Sequence, residues 1–257
     1  MHITAIVLAA GRGLRLSRFN RFTVRGGIPT HISKMIGSGR SKIPKPLIEI
    51  NSQPIIIYSL NTLSQHPDIR DIIVVANADN LKDIVNKIKQ YGISKIRDII
   101  LGGRERRDSV SSGLDAIDNR TELVLIHDAV RPFIDREIIS SLIKEAKESG
   151  AAIIGVPVKA TIKKVTSHKS QVTSRVFVKE TVNRDNLWEI QTPQVFKKEL
   201  ILKAYKKFGN VDATDDAMLV ERLGVKVSVV FGSYNNIKIT TPEDLVLAEA
   251  ISKIKKG

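Results

Sequence analysis

Apolar residues fall in short blocks along the chain, and the spacing inside each block predicts its element. Ile3 to Ala9 is a near-continuous apolar run ending in small residues and glycine, as expected of a strand buried on both faces. Asp71 to Ala76, Ile96 to Leu101, Leu123 to Ile126 and Ala151 to Val156 read the same way. Between them the period lengthens to that of a helix. Leu81, Ile84, Val85 and Ile88 make one face of an amphipathic helix over 81–91, and helices are predicted over 54–64, 107–117 and 136–149. This alternation predicts an α/β fold with a doubly wound, mostly parallel sheet. After Val156 the pattern changes. Ile162 to Val165 and Val172 to Val178 are β-branched and alternating, with a polar turn between them, and predict an antiparallel hairpin arm. Helices over 195–208 and 215–223, strands over 225–230 and 236–240, and a last helix over 242–253 complete the expectation, Pro242 fitting a first helical turn. No repeat and no interdomain linker is visible. One domain over 1–257 is expected, with an arm at 159–186.

One stretch has no period. Arg12 to Ile43 is rich in Gly, Ser, Arg and Lys and reads as a long loop, an uncommon feature in a compact domain and usually a functional or disordered one. It also unbalances the charge. The net charge is +14, and no acidic residue occurs before Glu49. Such a balance suits either nucleic acid or a polyanionic small substrate. Aromatic residues make up only 5%, too few for a stacking platform, and the basic run lies beside a glycine loop, so the small substrate is favoured. The absence of cysteine excludes disulfides, thiolate metal sites and a cysteine nucleophile. The opening run is too short to span a bilayer and lacks the flanks of a signal peptide, so a cytoplasmic protein is expected.

In doubly wound sheets ligands bind beyond the carboxyl ends of strands. Three unusual segments stand there: Ala9-Ala10-Gly11-Arg12-Gly13, Gly102-Gly103-Arg104 and His127-Asp128-Ala129. The pair Gly11 and Gly13 lets backbone N–H groups turn toward an anion, but Leu16 replaces the third glycine of a dinucleotide fingerprint and no P-loop Gly-Lys-Ser/Thr follows. Lys45 is held between Pro44 and Pro46, which restrict its backbone; an ordinary turn lysine is the simpler reading of it alone. Asp128 reads as a helix cap, a partner for Arg131, or a metal or ribose contact. Ser109 reads as a cap or a base contact, and Thr214 or Asp215 as a cap for the following helix. Lys238, inside an apolar segment, is costly unless paired. His127 is read as structural. No HExxH, histidine cluster or Ser-His-Asp order exists. Cations and backbone donors on one face suit phosphoryl or nucleotidyl transfer, where positioning and charge stabilisation do most of the work.

The motifs together resemble a family. Residues 9–15, 44–46, 103–109, 127–132, 181–184, 187–188, 191–194, 214–217 and 236–244 are similar, in order, to the 2-C-methyl-D-erythritol 4-phosphate cytidylyltransferases. The resemblance implies a Rossmann-like nucleotidyltransferase fold, CTP and methylerythritol phosphate as substrates, Mg²⁺ bound mainly through CTP, and a homodimer joined through the arms. It implies catalytic roles for Arg15, Lys45 and Lys238. Nucleotide contacts would come from Ala9, Ala10, Gly11, Gly13, Gly103, Ser109, Asp128 and Ala129, with Asp128 also the candidate metal ligand. Arg131, Thr161, Arg184, Thr192 and Thr214 would hold the acceptor, Thr161 and Arg184 from the partner's arm. The sequence departs from the family at Pro46, at Arg104, and in an insertion at 17–43. That insertion adds roughly two dozen residues, far more than a typical connection, and reads equally as a lid over the triphosphate or as a disordered loop. Alternatives are a ribitol- or other polyol-phosphate cytidylyltransferase, a UTP- or dTTP-using sugar nucleotidyltransferase and, from another class, a nucleic-acid-binding protein.

Overall fold

The apolar blocks build one seven-stranded sheet with helices on both faces. The computed structural model describes residues 1–11, 43–166 and 176–254. Strand β1 (Ile3–Leu8) is followed by a 3₁₀ turn (Lys45–Leu47) and the short pair β2 (Glu49–Ile50) and β3 (Gln53–Pro54). Then come α1 (Ile55–Ser64), β4 (Ile69–Ala76), α2 (Leu81–Gln90), β5 (Ile96–Leu101), α3 (Arg106–Asp115), β6 (Leu123–Asp128), α4 (Arg136–Ser149) and β7 (Ala151–Pro157). The arm strands β8 (Ile162–Val165) and β9 (Val178–Val182) precede β10 (Trp188–Lys197), α5 (Lys198–Phe208), α6 (Ala217–Glu221), β11 (Ser228–Phe231) and α7 (Pro242–Ile254).

The strand order is β11-β7-β10-β6-β1-β4-β5, parallel throughout except for β10. Period-2 side-chain placement, with helices on both faces, explains why the parallel strands are apolar along most of their length rather than at alternate positions. In β1, Ile3, Ala5 and Val7 join a cluster with Ile56, Leu60, Ile84 and Leu142 of α1, α2 and α4, while Ile6 turns to the other face against Val110 of α3 and Ile201 of α5. A smaller cluster ties β2 and α7 together through Ile50, Ile239, Leu245 and Ala248. The chain runs outward from β1 through β4 to β5 and returns to β6 on the other side of β1, which makes the β1–β6 edge the switch point.

Three expectations need correction. The segment at 195–208 is not all helix: Val195 and Phe196 belong to β10, inserted antiparallel between β6 and β7, and α5 begins at Lys198. Residues 236–240 do not form a strand. They cross the strand ends, Ile239 N–H donating to the Val130 carbonyl and Asn236 Nδ2 bonding Gln191 and Thr192. The arm exists, but its second strand is 178–182 rather than 172–178, because Val178 and Val182 are the residues that pair with Val165 and Ile162; 172–175 lie outside the described residues. Expectations placed on Gly13, Arg15 and the insertion through residue 42 also lie outside them. Among the described residues no helix is long and apolar enough to cross a membrane.

Candidate active site

A cleft of about 410 Å³ opens at the switch point, over the carboxyl ends of β1, β5 and β6. On one wall the chain leaves β1 through Ala9, Ala10 and Gly11. The Ala9 and Ala10 carbonyls accept hydrogen bonds from Asn80 Nδ2 (2.9 Å) and Asn77 Nδ2 (3.0 Å), so the turn after β4 fixes the turn after β1. Gly102 and Gly103 form the next edge. A Cβ at Gly103 would meet Asp108 Cβ at 2.2 Å, so this position needs glycine. Asp108 accepts the Glu105 N–H at 2.9 Å and closes the first turn of α3, which begins at the cleft and carries Ser109 into it. Ser109 Oγ donates to the Glu105 carbonyl and is not a cap.

The opposite wall carries cations. Lys45 stands in the proline-bounded 3₁₀ turn and donates to the Thr240 carbonyl at 3.2 Å. Thr240 and Thr241 are gathered onto Asp244, which accepts from both backbone N–H groups and the Thr240 hydroxyl. The segment bearing Lys238 is thereby anchored to the start of α7. Lys238 Nζ reaches Asp128 Oδ2 at 2.6 Å, so the pairing its apolar surroundings demand is made, although the residue itself is exposed.

Asp128, at the end of β6, is buried between two cations: Lys238 on one oxygen and Arg106 Nε on the other at 3.3 Å. Arg131, one of the partners the sequence offered for it, makes its hydrogen bond to the Asn236 carbonyl at 2.8 Å and acts on Asp128 through charge alone. Burial opposes ionisation of Asp128, but Arg106, Lys238 and Arg131 outweigh it and hold the carboxyl below the usual carboxylate range. His127, fully buried, is pushed down to about 4 by desolvation. It is neutral near pH 7, its ring bonding the Arg131 carbonyl and Thr192 Oγ1, as a structural histidine should.

The cleft brings together Ala9, Ala10, Gly11, Lys45, Gly103, Ser109, Asp128 and Lys238. Ala129 is buried behind it, its N–H bound to the Leu8 carbonyl. Thr192 lies beneath, its hydroxyl accepting the Asp128 N–H at 3.0 Å. Thr161, Arg184 and Thr214 are exposed and do not line the cleft; Arg184 donates to the Lys159 carbonyl at the base of the arm. Sequence reasoning gave no role to Arg106 or Asp216. Arg106 forks onto Asp216 at 3.0 and 2.8 Å, a pair made across 110 positions that no local pattern reveals.

Lysines facing glycine-edged backbone, at the switch point of a mostly parallel sheet, define a nucleotide-handling α/β enzyme. The family profile for 2-C-methyl-D-erythritol 4-phosphate cytidylyltransferase matches residues 35–253. A relative of that name from Alkaliphilus metalliredigens is 39% identical over 257 residues, covering 99% of this chain and 94% of its own. Another from Syntrophus aciditrophicus is 45% identical over 227 residues, covering 86% and 94%. Among solved structures, the 4-diphosphocytidyl-2C-methyl-D-erythritol synthase of Anaerococcus prevotii superposes with a TM-score of 0.75 at 33% identity, covering 98% of this chain and 96% of its own. The chain belongs to the 2-C-methyl-D-erythritol 4-phosphate cytidylyltransferase family, and is a nucleotidyltransferase.

Proposed function

We propose that this chain transfers CMP from CTP to 2-C-methyl-D-erythritol 4-phosphate, giving 4-diphosphocytidyl-2-C-methyl-D-erythritol and pyrophosphate. The observation that carries the reading is the cleft itself, with Lys45 and Lys238 facing the glycine edges at the β1–β6 switch point. An oxygen of the acceptor phosphate attacks the α-phosphorus of CTP. One P–O bond forms, the P–O bond to the β-phosphate breaks, and pyrophosphate leaves with that electron pair. Lys45 and Lys238, with Arg15 from outside the described residues, stabilise the charge building on the equatorial oxygens. Ala9, Ala10, Gly11, Gly103 and Ser109 bind the nucleotide, with Gly13 completing the loop and Ala129 supporting the ribose side. Arg131, Thr192 and Thr214 hold the acceptor, with Thr161 and Arg184 reaching it from a partner's arm.

The residues fit Mg²⁺ carried by the nucleotide. No group of three or more metal-ligating side chains occurs among the described residues, but an ionised carboxylate, Asp128, lines the cleft. Mg²⁺ commonly takes one or two carboxylates together with substrate phosphates. Asp128 would supply that oxygen, and the ion would neutralise triphosphate charge. Homodimerisation through the arm is supported by the exposed run Val176, Phe177 and Val178, and by the exposed edge-to-face pair Trp188–Phe231 near its base. We place the transfer in the cytoplasm.

Pyrophosphate release from CTP and Mg²⁺ tests the reading, with methylerythritol 4-phosphate, ribitol 5-phosphate and glucose 1-phosphate as separate acceptors. Turnover with the first alone is expected. Turnover with ribitol 5-phosphate instead would move the chain to a polyol-phosphate enzyme.

A further inference from the structure

Lys238 sits on an irregular segment, so its backbone alone does not fix where its ammonium lies. The 2.6 Å bond to Asp128 Oδ2 does. The other oxygen of Asp128 is held by Arg106 Nε, and Arg106 is in turn aligned by the two-point fork onto Asp216. Asp216 is buried, lies immediately before α6, and receives the Tyr205 hydroxyl from α5 at 2.6 Å. Four side chains thus connect α5 and α6 beneath the sheet to a lysine in the cleft. Among the described residues Arg106 alone meets both carboxylates, and its planar guanidinium bonds Asp216 at two points while a third N–H reaches Asp128, a fixed fork that a lysine ammonium does not reproduce.

We propose that Arg106 is a positioning residue for transfer. Through Asp128 it sets the place of Lys238, and Asp216 and Tyr205 set the place of Arg106. Thr214 lies two residues before Asp216, so the same fork ties the acceptor-side loop to the nucleotide cleft. The inference rests on the transfer reaction proposed above and deepens it: a network that runs from Asp128 and Arg106 in the cleft wall back to Asp216 and Tyr205 behind it sets the place of the lysine.

The test is a double-mutant cycle with Lys238→Met, using Arg106→Lys and, more gently, Tyr205→Phe. Arg106→Lys keeps a cation but loses the fork. It is expected to lower kcat by about 10- to 100-fold, by analogy with the loss of groups that orient metal ligands, with KM for CTP nearly unchanged. Tyr205→Phe is expected to lower kcat several-fold and leave the fold intact. In the Lys238→Met background both changes should cost almost nothing further, because their effect passes through Lys238. Losses that multiply in that background, or an unchanged kcat in Arg106→Lys, would overturn the proposal. If Arg106→Lys does not fold, the Tyr205→Phe cycle decides alone. Calorimetry without acceptor checks the split between kcat and binding: CTP affinity is expected to change little in Arg106→Lys and Tyr205→Phe, and a loss of affinity matching the loss of kcat would overturn the proposal. Wild-type turnover separately decides the reaction, so a wrong acceptor and a wrong network give different results.

Discussion

At the scale of single residues, charge and burial divide the labour. Lys45 and Lys238 are cations at the cleft wall, and in the proposed transfer they stand where charge builds in the transition state. Replacing either with methionine is expected to lower kcat by about 10²–10³, the usual cost of one lost charge-stabilising contact; steady-state kinetics at saturating substrates measures it. Buried His127, next to Asp128 in β6, does the opposite kind of work. Its folded pKa of about 4 lies below the ordinary histidine value because its ring is desolvated. Between those two values the unfolded chain binds a proton that the folded chain refuses. The stabilising effect is therefore complete above about pH 6.5 and is lost as pH falls toward 4, a difference of about 3 kcal/mol across the window. Urea midpoints measured from pH 7 to pH 4.5 should fall accordingly. His127→Gln, which keeps a donor near the Arg131 carbonyl but does not titrate, should flatten that slope. An equal slope in the variant would place the titration elsewhere.

At the scale of elements, the cleft depends on how strands hand over to helices. Gly103 lies between β5 and α3 with no room for a Cβ against Asp108. Gly103→Ala must push Asp108 off the Glu105 N–H and open the first turn of α3. A stability loss of about 1–3 kcal/mol, typical of overpacking, is expected together with weaker CTP binding, measured by denaturant titration and calorimetry. That glycine and the apolar runs of β1, β4, β6 and β7 were legible in the sequence because local chemistry dictates them. Strand β10 was not. It carries Gln191, Thr192, Pro193 and Gln194 through the middle of a sheet, where polar residues and proline argue against a strand. The structure admits them because the pairing register shifts between Gln191 and Gln194, and because Gln194 and Thr192 bond Asp215 and His127. Lys45, Asp128 and Lys238 were legible by motif, but the Arg106–Asp216 fork depends on the assembled fold. The segment 236–240 looked like a strand because its alternation is that of a chain with one buried face. That face packs on α7 and β2 rather than beside another strand.

At the scale of the whole molecule, the exposed arm residues bear on how two chains would share a site. Thr161 and Arg184 lie outside the cleft of their own chain, while the cleft keeps Lys45 and Lys238. If the arms cross between subunits, each site takes Lys238 from one chain and Arg184 from the other. Two inactive variants should then rescue each other. Lys238→Met and Arg184→Ala homodimers each lack one required group at both sites. In a heterodimer, the site on the Arg184→Ala chain has its own Lys238 and receives Arg184 from the Lys238→Met partner, so it is complete, while the other site lacks both. Random pairing of equal amounts makes half the dimers mixed and completes one of their two sites. Co-refolded or co-expressed mixtures should therefore recover about a quarter of wild-type activity, as two-fold symmetry requires. Mixing without subunit exchange should recover none. If each arm served its own chain, the mixture would stay as inactive as its parents, and the same held-apart residues would need a route to the cleft within one subunit. Phe177→Glu tests the same assembly at its interface. A charge on this exposed arm position should break the dimer in sedimentation measurements and abolish the rescue with it, since the complete site exists only where two chains meet.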